Sequence, residues 1–226
     1  MVIFIFPHQD DEFGVFGQIE RELGDGQSVC CLFITDGAAS AEPKIRNRES
    51  TRVLTRLGVS KDNIKFLGED LGVPDGYAHK NFKRCADWLI TFLEGQVRIK
   101  RIYLPAWEGG HPDHDFCHAM VLKLIHRLDA TVEALQYPLY HGKGLRGAFF
   151  KVLSPISENG AVTKEGMKVI NRLRYLWFCL LYPSQWKSWL GLYPFVFVHY
   201  LFRGKQQIQL TSMERLNERP HKKHLF

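Results

Sequence analysis

Two short runs of the sequence concentrate side chains that can hold a metal and move protons: His8-Gln9-Asp10-Asp11-Glu12 and, about a hundred residues on, His111-Pro112-Asp113-His114. A hydrolytic zinc site takes three nitrogen or oxygen ligands and keeps a position for water. His8, Asp11 and His114 could supply that set, leaving Asp10 to act on the water. Metal binding lowers the pKa of water from about 15.7 to about 7, roughly 12 kcal/mol at 1.36 kcal/mol per unit, which an unassisted Asp or His base can hardly match. Crowding points the same way, because adjacent carboxyls at Asp10, Asp11 and Glu12 raise one another's pKa and a cation removes that repulsion. A solvated acidic turn at a helix N-terminus would explain the first run alone. It does not explain the second, which follows Glu108-Gly109-Gly110, where backbone freedom lets side chains converge. His114 and His118, four apart, could pair on a helix face or simply lie exposed.

Both runs need elements that bring them together. Val2 to Phe6 is an apolar run ending at Pro7, and a helical period then runs from Val15 through Ile19 to Leu23. Val29 to Ile34 reads as a second buried strand, ending at Thr35-Asp36-Gly37. The helix after it carries Ile45, Val53, Leu54 and Leu57, with Gly58 as its cap. Strands at 64–67, 99–104 and 132–136 and helices at 82–93 and 114–128 continue the alternation. Parallel strands need crossover helices and are buried on both faces, so the pattern predicts an α/β fold: a Rossmann-like three-layer α/β/α architecture with a mostly parallel sheet. Both clusters follow predicted strands, and ligands bind at the carboxyl ends of strands in such sheets. The absence of G-x-G-x-x-G excludes a dinucleotide fingerprint.

The expected organisation is a catalytic core over 1–142 and a C-terminal elaboration over 143–226 packed on the same domain. Their charges differ: 16 Lys/Arg against 20 Asp/Glu in the first, 14 against 4 in the second. A basic C-terminal part suits an anionic partner such as a lipid headgroup or a diphosphate-linked sugar, or is simply a solvated face. A helical period from Met167 to Leu181 should end at Pro183. The apolar, aromatic stretch from Tyr175 to Phe202 is broken by Pro183-Ser184-Gln185, Lys187 and Pro194, so it is too interrupted to span a bilayer. It reads as core and cover for the active-site edge, with interfacial membrane contact as the alternative. Five cysteines without C-x-x-C spacing fit neither a disulfide framework nor a thiolate zinc site, and imply a cytoplasmic location, peripheral to the membrane if that contact is made.

PHQDDE and GGHPDH, in this order and at this separation, resemble the (P/A)HPDDE and HPDH motifs of the LmbE/PIG-L family of N-acetylglucosaminyl deacetylases. The likeness extends to Thr35-Asp36-Gly37, Arg48-Glu49, Leu57-Gly58-Val59, Phe66-Leu67-Gly68 and Tyr182-Pro183-Ser184-Gln185. The resemblance implies one zinc ion on His8, Asp11 and His114, with Asp10 as general base. It implies His111 as the imidazole that stabilises the oxyanion or protonates the leaving amine, and Asp113 as the carboxylate that orients His111 and keeps it protonated. By similarity Arg48 binds sugar hydroxyls or a phosphate and Asp75 sugar hydroxyls, although a salt bridge and a simple turn explain those two equally well. The chain departs from the family pattern at Gln9, where proline is usual, and at Gly109, where some sugar deacetylases have a tyrosine. Tyr137, Tyr140 and His141 are candidates to replace that tyrosine.

The expected function is therefore zinc-dependent deacetylation of an N-acetylated amino sugar, a small molecule or one linked to a lipid or nucleotide. No nucleic-acid partner is expected. A zinc hydrolase of a non-sugar amide or phosphoester, and an inert module binding membrane or nucleic acid, are the competing readings. Specificity would sit in loops 38–44, 68–80 and 137–160.

Overall fold

The computed structural model describes residues 1–38, 41–96, 98–128, 131–146 and 149–221; parts of two expected specificity loops, at 39–40 and 147–148, fall outside them. The chain runs β1 (Val2–Phe6), α1 (Phe16–Gly24), β2 (Val29–Phe33), α2 (Pro43–Leu57), β3 (Ile64–Phe66), α3 (Leu67–Leu71), α4 (Phe82–Glu94), β4 (Arg101–Pro105), α5 (Pro112–Leu128) and β5 (Glu133–Tyr137). The paired strands β6 (Tyr140–His141) and β7 (Lys151–Val152) follow. Then come β8 (Val162–Gly166), α6 (Val169–Cys179), α7 (Trp186–Val198) and β9 (Lys205–Leu210).

The main sheet has the order β3-β2-β1-β4-β5-β9-β8. Its first five strands are parallel, and β9 and β8 add antiparallel at the β5 edge. Every residue of β1 is buried. Alternate side chains serve opposite faces: Val2, Phe4 and Phe6 pack with α1, α2, α6 and α7, whereas Ile3 and Ile5 pack with α4 and α5. This is the three-layer α/β arrangement, with helices on both faces of a mostly parallel sheet. Strand order reverses beside β1, because β2 lies on one side and β4 on the other. The carboxyl ends of β1 and β4 therefore open side by side, and the two polar runs begin there.

Two C-terminal details differ from the sequence reading. α6 ends at Cys179 and not at Pro183, which instead starts a short 3-10 turn over Pro183–Gln185. α7 continues through Pro194 and passes into a π-helical turn, His199–Arg203, closed by Gly204 in the left-handed region. That turn starts as the apolar helix runs out and needs a residue without a Cβ to reverse the chain.

The end of β3 presses on the end of β2. A Cβ on Gly68 would stand 1.9 Å from the Thr35 carbonyl carbon and 2.3 Å from the Asp36 nitrogen. Gly68→Ala should therefore lower stability by at least about 3 kcal/mol, read as a shift in the urea midpoint at constant slope.

Candidate active site

After β1 the chain makes a tight loop whose conformation is costly for any residue but glycine. Asp10 has φ 102° and ψ −18°, and its N–H donates to Glu12 Oε2 at 2.7 Å. A 3-10 turn over Asp11–Gly14 follows. Gln9, where the family pattern has proline, does not loosen this loop. It is fully buried, and its Nε2 donates to Asn47 Oδ1 of α2 at 2.6 Å.

His8 Nδ1, Asp11 Oδ2/Oδ1 and His114 Nε2 converge. The His8–Asp11 distance is 3.3 Å, His8–His114 3.3 Å and His114–Asp11 3.4 Å. Donors set tetrahedrally around zinc at about 2.0–2.1 Å stand about 3.3 Å apart, so the spacing and the nitrogen/oxygen donor set fit that ion. All three residues are buried. Burial opposes charge on His8, yet the carboxylates of Asp75, Asp11 and Asp113 outweigh it and hold the ring well above its usual pKa. Burial likewise opposes ionisation of Asp11, but His114 and His8 hold its carboxyl well below the usual range. The pocket is built for positive charge. Burial pushes Asp10 up to about 8, with Arg46 opposing, and Glu12 up to about 7.

Two further groups of ligand atoms close enough to hold a metal share His8: His8 with His111 and His114, and, on the outer side of the His8 ring, His8 with Asp75 and Asp113. His8 Nε2 is 3.1 Å from Asp113 Oδ2 and 3.3 Å from Asp75 Oδ1. Asp113 also accepts the N–H groups of Gly76 (2.7 Å) and Ala78 (3.2 Å). With its lone pairs so used, it orients His8 and delivers Nδ1 toward the inner position.

A model of the PIG-L family, described as GlcNAc-PI de-N-acetylase, matches residues 3–125, more than half of the chain. The chain belongs to the PIG-L family. It is 26% identical over 128 residues to a probable N-acetylglucosaminyl-phosphatidylinositol de-N-acetylase of Schizosaccharomyces pombe, a match covering 55% of this chain and 51% of the relative. The chain thus spans about half the length of that curated relative. Among solved structures, the fold is similar to the N,N'-diacetylchitobiose deacetylase from Pyrococcus horikoshii (TM-score 0.68, 17% identity, covering 93% of this chain and 83% of that one). It is also similar to the zinc-inhibited form of teicoplanin deacetylase Orf2 (TM-score 0.66, 14% identity, covering 94% and 99%).

Around the convergent donors, this PIG-L chain forms a cleft of about 270 Å³ whose walls include Asp10, Arg46, Asp75, His111, Tyr140 and Ser188. Of the residues expected from sequence, Arg48 is the one that does not arrive. It is exposed, while Arg46 of the same helix is buried. Two residues on a helix point about 200° apart, so only one of them can face the cleft. Arg46 Nη2 contacts Asp10 Oδ1 at 3.2 Å and Nη1 contacts Asp75 Oδ2 at 3.3 Å; the guanidinium also donates to the carbonyls of Gln9 and Gly37. The sequence held a signal for this: 46, 50, 53, 54 and 57 form the buried stripe of α2, and 48 falls outside it.

Two expected relations also change. The Asp113 carboxylate goes to His8, and what it gives His111 is a backbone N–H, 3.2 Å from Nδ1. That leaves the proton of a neutral His111 ring on Nε2. Burial, with His8 and His114 beside it, pushes the His111 pKa down to about 3, which favours the neutral imidazole over the cation expected. Of the three candidates to replace the family tyrosine, Tyr137 donates its hydroxyl to Ile5 O and the His141 ring faces Ser154 O. Tyr140 lines the cleft, its ring 5.4 Å from that of His114. The Ser184-Gln185 part of the likeness is explained by docking: Glu49 of α2 accepts the Ser184 N–H at 3.0 Å and its hydroxyl, which brings Gln185 to the cleft wall.

Proposed function

We propose that this chain is a zinc-dependent deacetylase of an N-acetylglucosamine-type substrate, the sugar being carried on a lipid or a nucleotide. The observation that carries the reading is the convergence of His8 Nδ1, His114 Nε2 and the two Asp11 carboxylate oxygens at contacts of 3.3–3.4 Å, with Asp10 and His111 on the walls of the same cleft. Zinc held by His8, Asp11 and His114 supplies Lewis acidity, making water more acidic and the amide carbonyl more electrophilic.

The protein's own groups do the rest. Arg46 holds Asp10 through Oδ1, and Oδ2 is left to take the proton from the attacking water. His111, with its proton on Nε2, donates a hydrogen bond to the developing oxyanion, and Asp10 hands the proton it took from the water to the departing amine. Asp113 fixes His8, and Asp75 joins His8 to Arg46. Tyr140 and Asp75, both on the cleft wall, would meet sugar hydroxyls. The five free, buried cysteines suit the cytoplasmic location proposed with this activity.

The direct test is release of a primary amine by the zinc-loaded protein from a panel of N-acetylglucosaminides, including lipid-linked ones. No amine from any of them would end the assignment. Metal binding gives an independent check: one zinc per chain, with affinity lowered at least about 100-fold in His114→Ala. Protons compete for the same imidazoles and carboxylate, so affinity should fall as pH drops, about tenfold per pH unit for each proton displaced. Calorimetric titration at several pH values would reveal a flat profile if these residues were not the ligands.

A further inference from the structure

α7 is apolar on nearly every side. Such a helix belongs in a protein core or a membrane environment, yet here it lies on the surface, with only Trp189 and Val196 of its residues buried. Trp186 (57% exposed), Leu190 (69%), Phe197 and then Leu201 recur at helical spacing along its outer side, and Phe202 (73%) projects from the turn that follows. α6 carries a parallel stripe, Ile170 (69%), Leu173, Trp177 and Leu180. The stripes meet: Leu180 of the α6 end and Trp186 and Leu190 of α7 rim one apolar groove of about 320 Å³, floored by Trp189 and Tyr193. Exposed apolar side chains grouped in this way mark an interaction surface.

Charge identifies what covers it. From Lys168 to Lys205 the chain has six Lys/Arg and no Asp or Glu. Arg174 is taken by Glu20 and Arg172 donates to Met167 O, whereas Lys168, Lys187, Arg203 and Lys205 are exposed beside the apolar stripes. A protein partner or a second copy would place these cations against a mixed surface, or against themselves. An anionic bilayer matches all of it, with tryptophans at the interface, aliphatic side chains below and lysines on the headgroups. No helix among the described residues is long and apolar enough to cross a membrane. We propose that the α6–α7 face is a peripheral docking surface for anionic lipid membranes. α7 also supplies Ser188 and Leu192 to the wall of the catalytic cleft, so docking would hold the cleft mouth at the headgroup level.

Vesicle sedimentation of the full chain without substrate tests this separately from the deacetylase reading. Phosphatidylcholine vesicles containing phosphatidylglycerol should pellet the protein at low salt, with a blue shift of tryptophan emission; pure phosphatidylcholine should pellet far less, and added salt should weaken binding. Leu190→Ser with Phe202→Ser should weaken partitioning at least about tenfold, and Lys187→Glu with Lys205→Glu should do so on anionic vesicles. Both pairs replace exposed side chains, and unchanged melting temperatures would exclude unfolding as the cause. Absence of binding to anionic vesicles at low salt, or binding indifferent to both variants, overturns the proposal. So does a concentration-dependent dimer that the serine pair dissolves in a protein that ignores vesicles, which would assign the face to a second copy.

Discussion

Asp10→Asn should leave a folded, zinc-binding protein that releases amine from an N-acetylglucosaminide about 10³-fold more slowly than the wild type. Asparagine is the informative replacement because of the backbone. Asp10 sits at φ 102°, a region that asparagine tolerates far better than alanine, so the loop and the Asp10 N–H to Glu12 bond should survive. The Arg46 Nη2 contact to Oδ1 can be kept by the amide oxygen. What is lost is an atom that can take a proton. Zinc content should match the wild type, since His8, Asp11 and His114 are untouched. A variant that kept more than a tenth of the wild-type rate while binding zinc normally would remove Asp10 as the base and point to His111 or Asp75.

Much of the architecture was legible because it obeys simple periods. β1 and β2 are unbroken apolar runs, as strands buried on both faces must be, β4 is apolar from Ile102 on, and α1, α2 and α5 show helical spacing between them. β8 and β9 were not legible. Val162-Thr163-Lys164-Glu165-Gly166 is a polar strand at the sheet edge, and β9 is rich in glutamine. Those glutamines are spent on main-chain carbonyls that no strand pairs: Gln206 donates to Gly14 O, and Gln209 to Ile156 O and Gly160 O. A strand that satisfies neighbouring loops in this way has no hydrophobic alternation to read.

In the site, residue types were legible and directions were not. The two clusters showed which groups could gather, because strand ends bring them to one edge. Which ring Asp113 serves depends on the loop at Gly76 and Ala78 reaching over to share its carboxylate, a long-range contact without sequence periodicity. Arg46 differs, since helix phase alone distinguishes it from Arg48. It was passed over because similarity to the family's Arg-Glu pair pointed to Arg48.

Arg46→Ala should be far more damaging than Arg48→Ala, both to stability and to turnover. The Arg46 guanidinium lies between the Asp10 and Asp75 carboxylates and also satisfies the Gln9 and Gly37 carbonyls. Removing one member of a buried charged network leaves the others uncompensated, a loss on the order of 3–5 kcal/mol. Lysine cannot repair it, because a single ammonium cannot span two carboxylates and two carbonyls as the planar fork does. The chemical effect has a definite sign. Burial pushes the Asp10 carboxyl up to about 8 and Arg46 is the chief opposing influence. Without that cation the pKa rises further, less carboxylate is present at neutral pH, and the acidic limb of the pH–rate profile moves to higher pH. Arg48→Ala, at an exposed position on the other side of α2, should change stability by no more than about 0.5 kcal/mol and leave the profile in place. The same comparison separates binding from positioning. If Arg46 acted only by contacting substrate, KM would rise with the acidic limb unmoved; a shifted limb at saturating substrate is what a cation holding the base must produce.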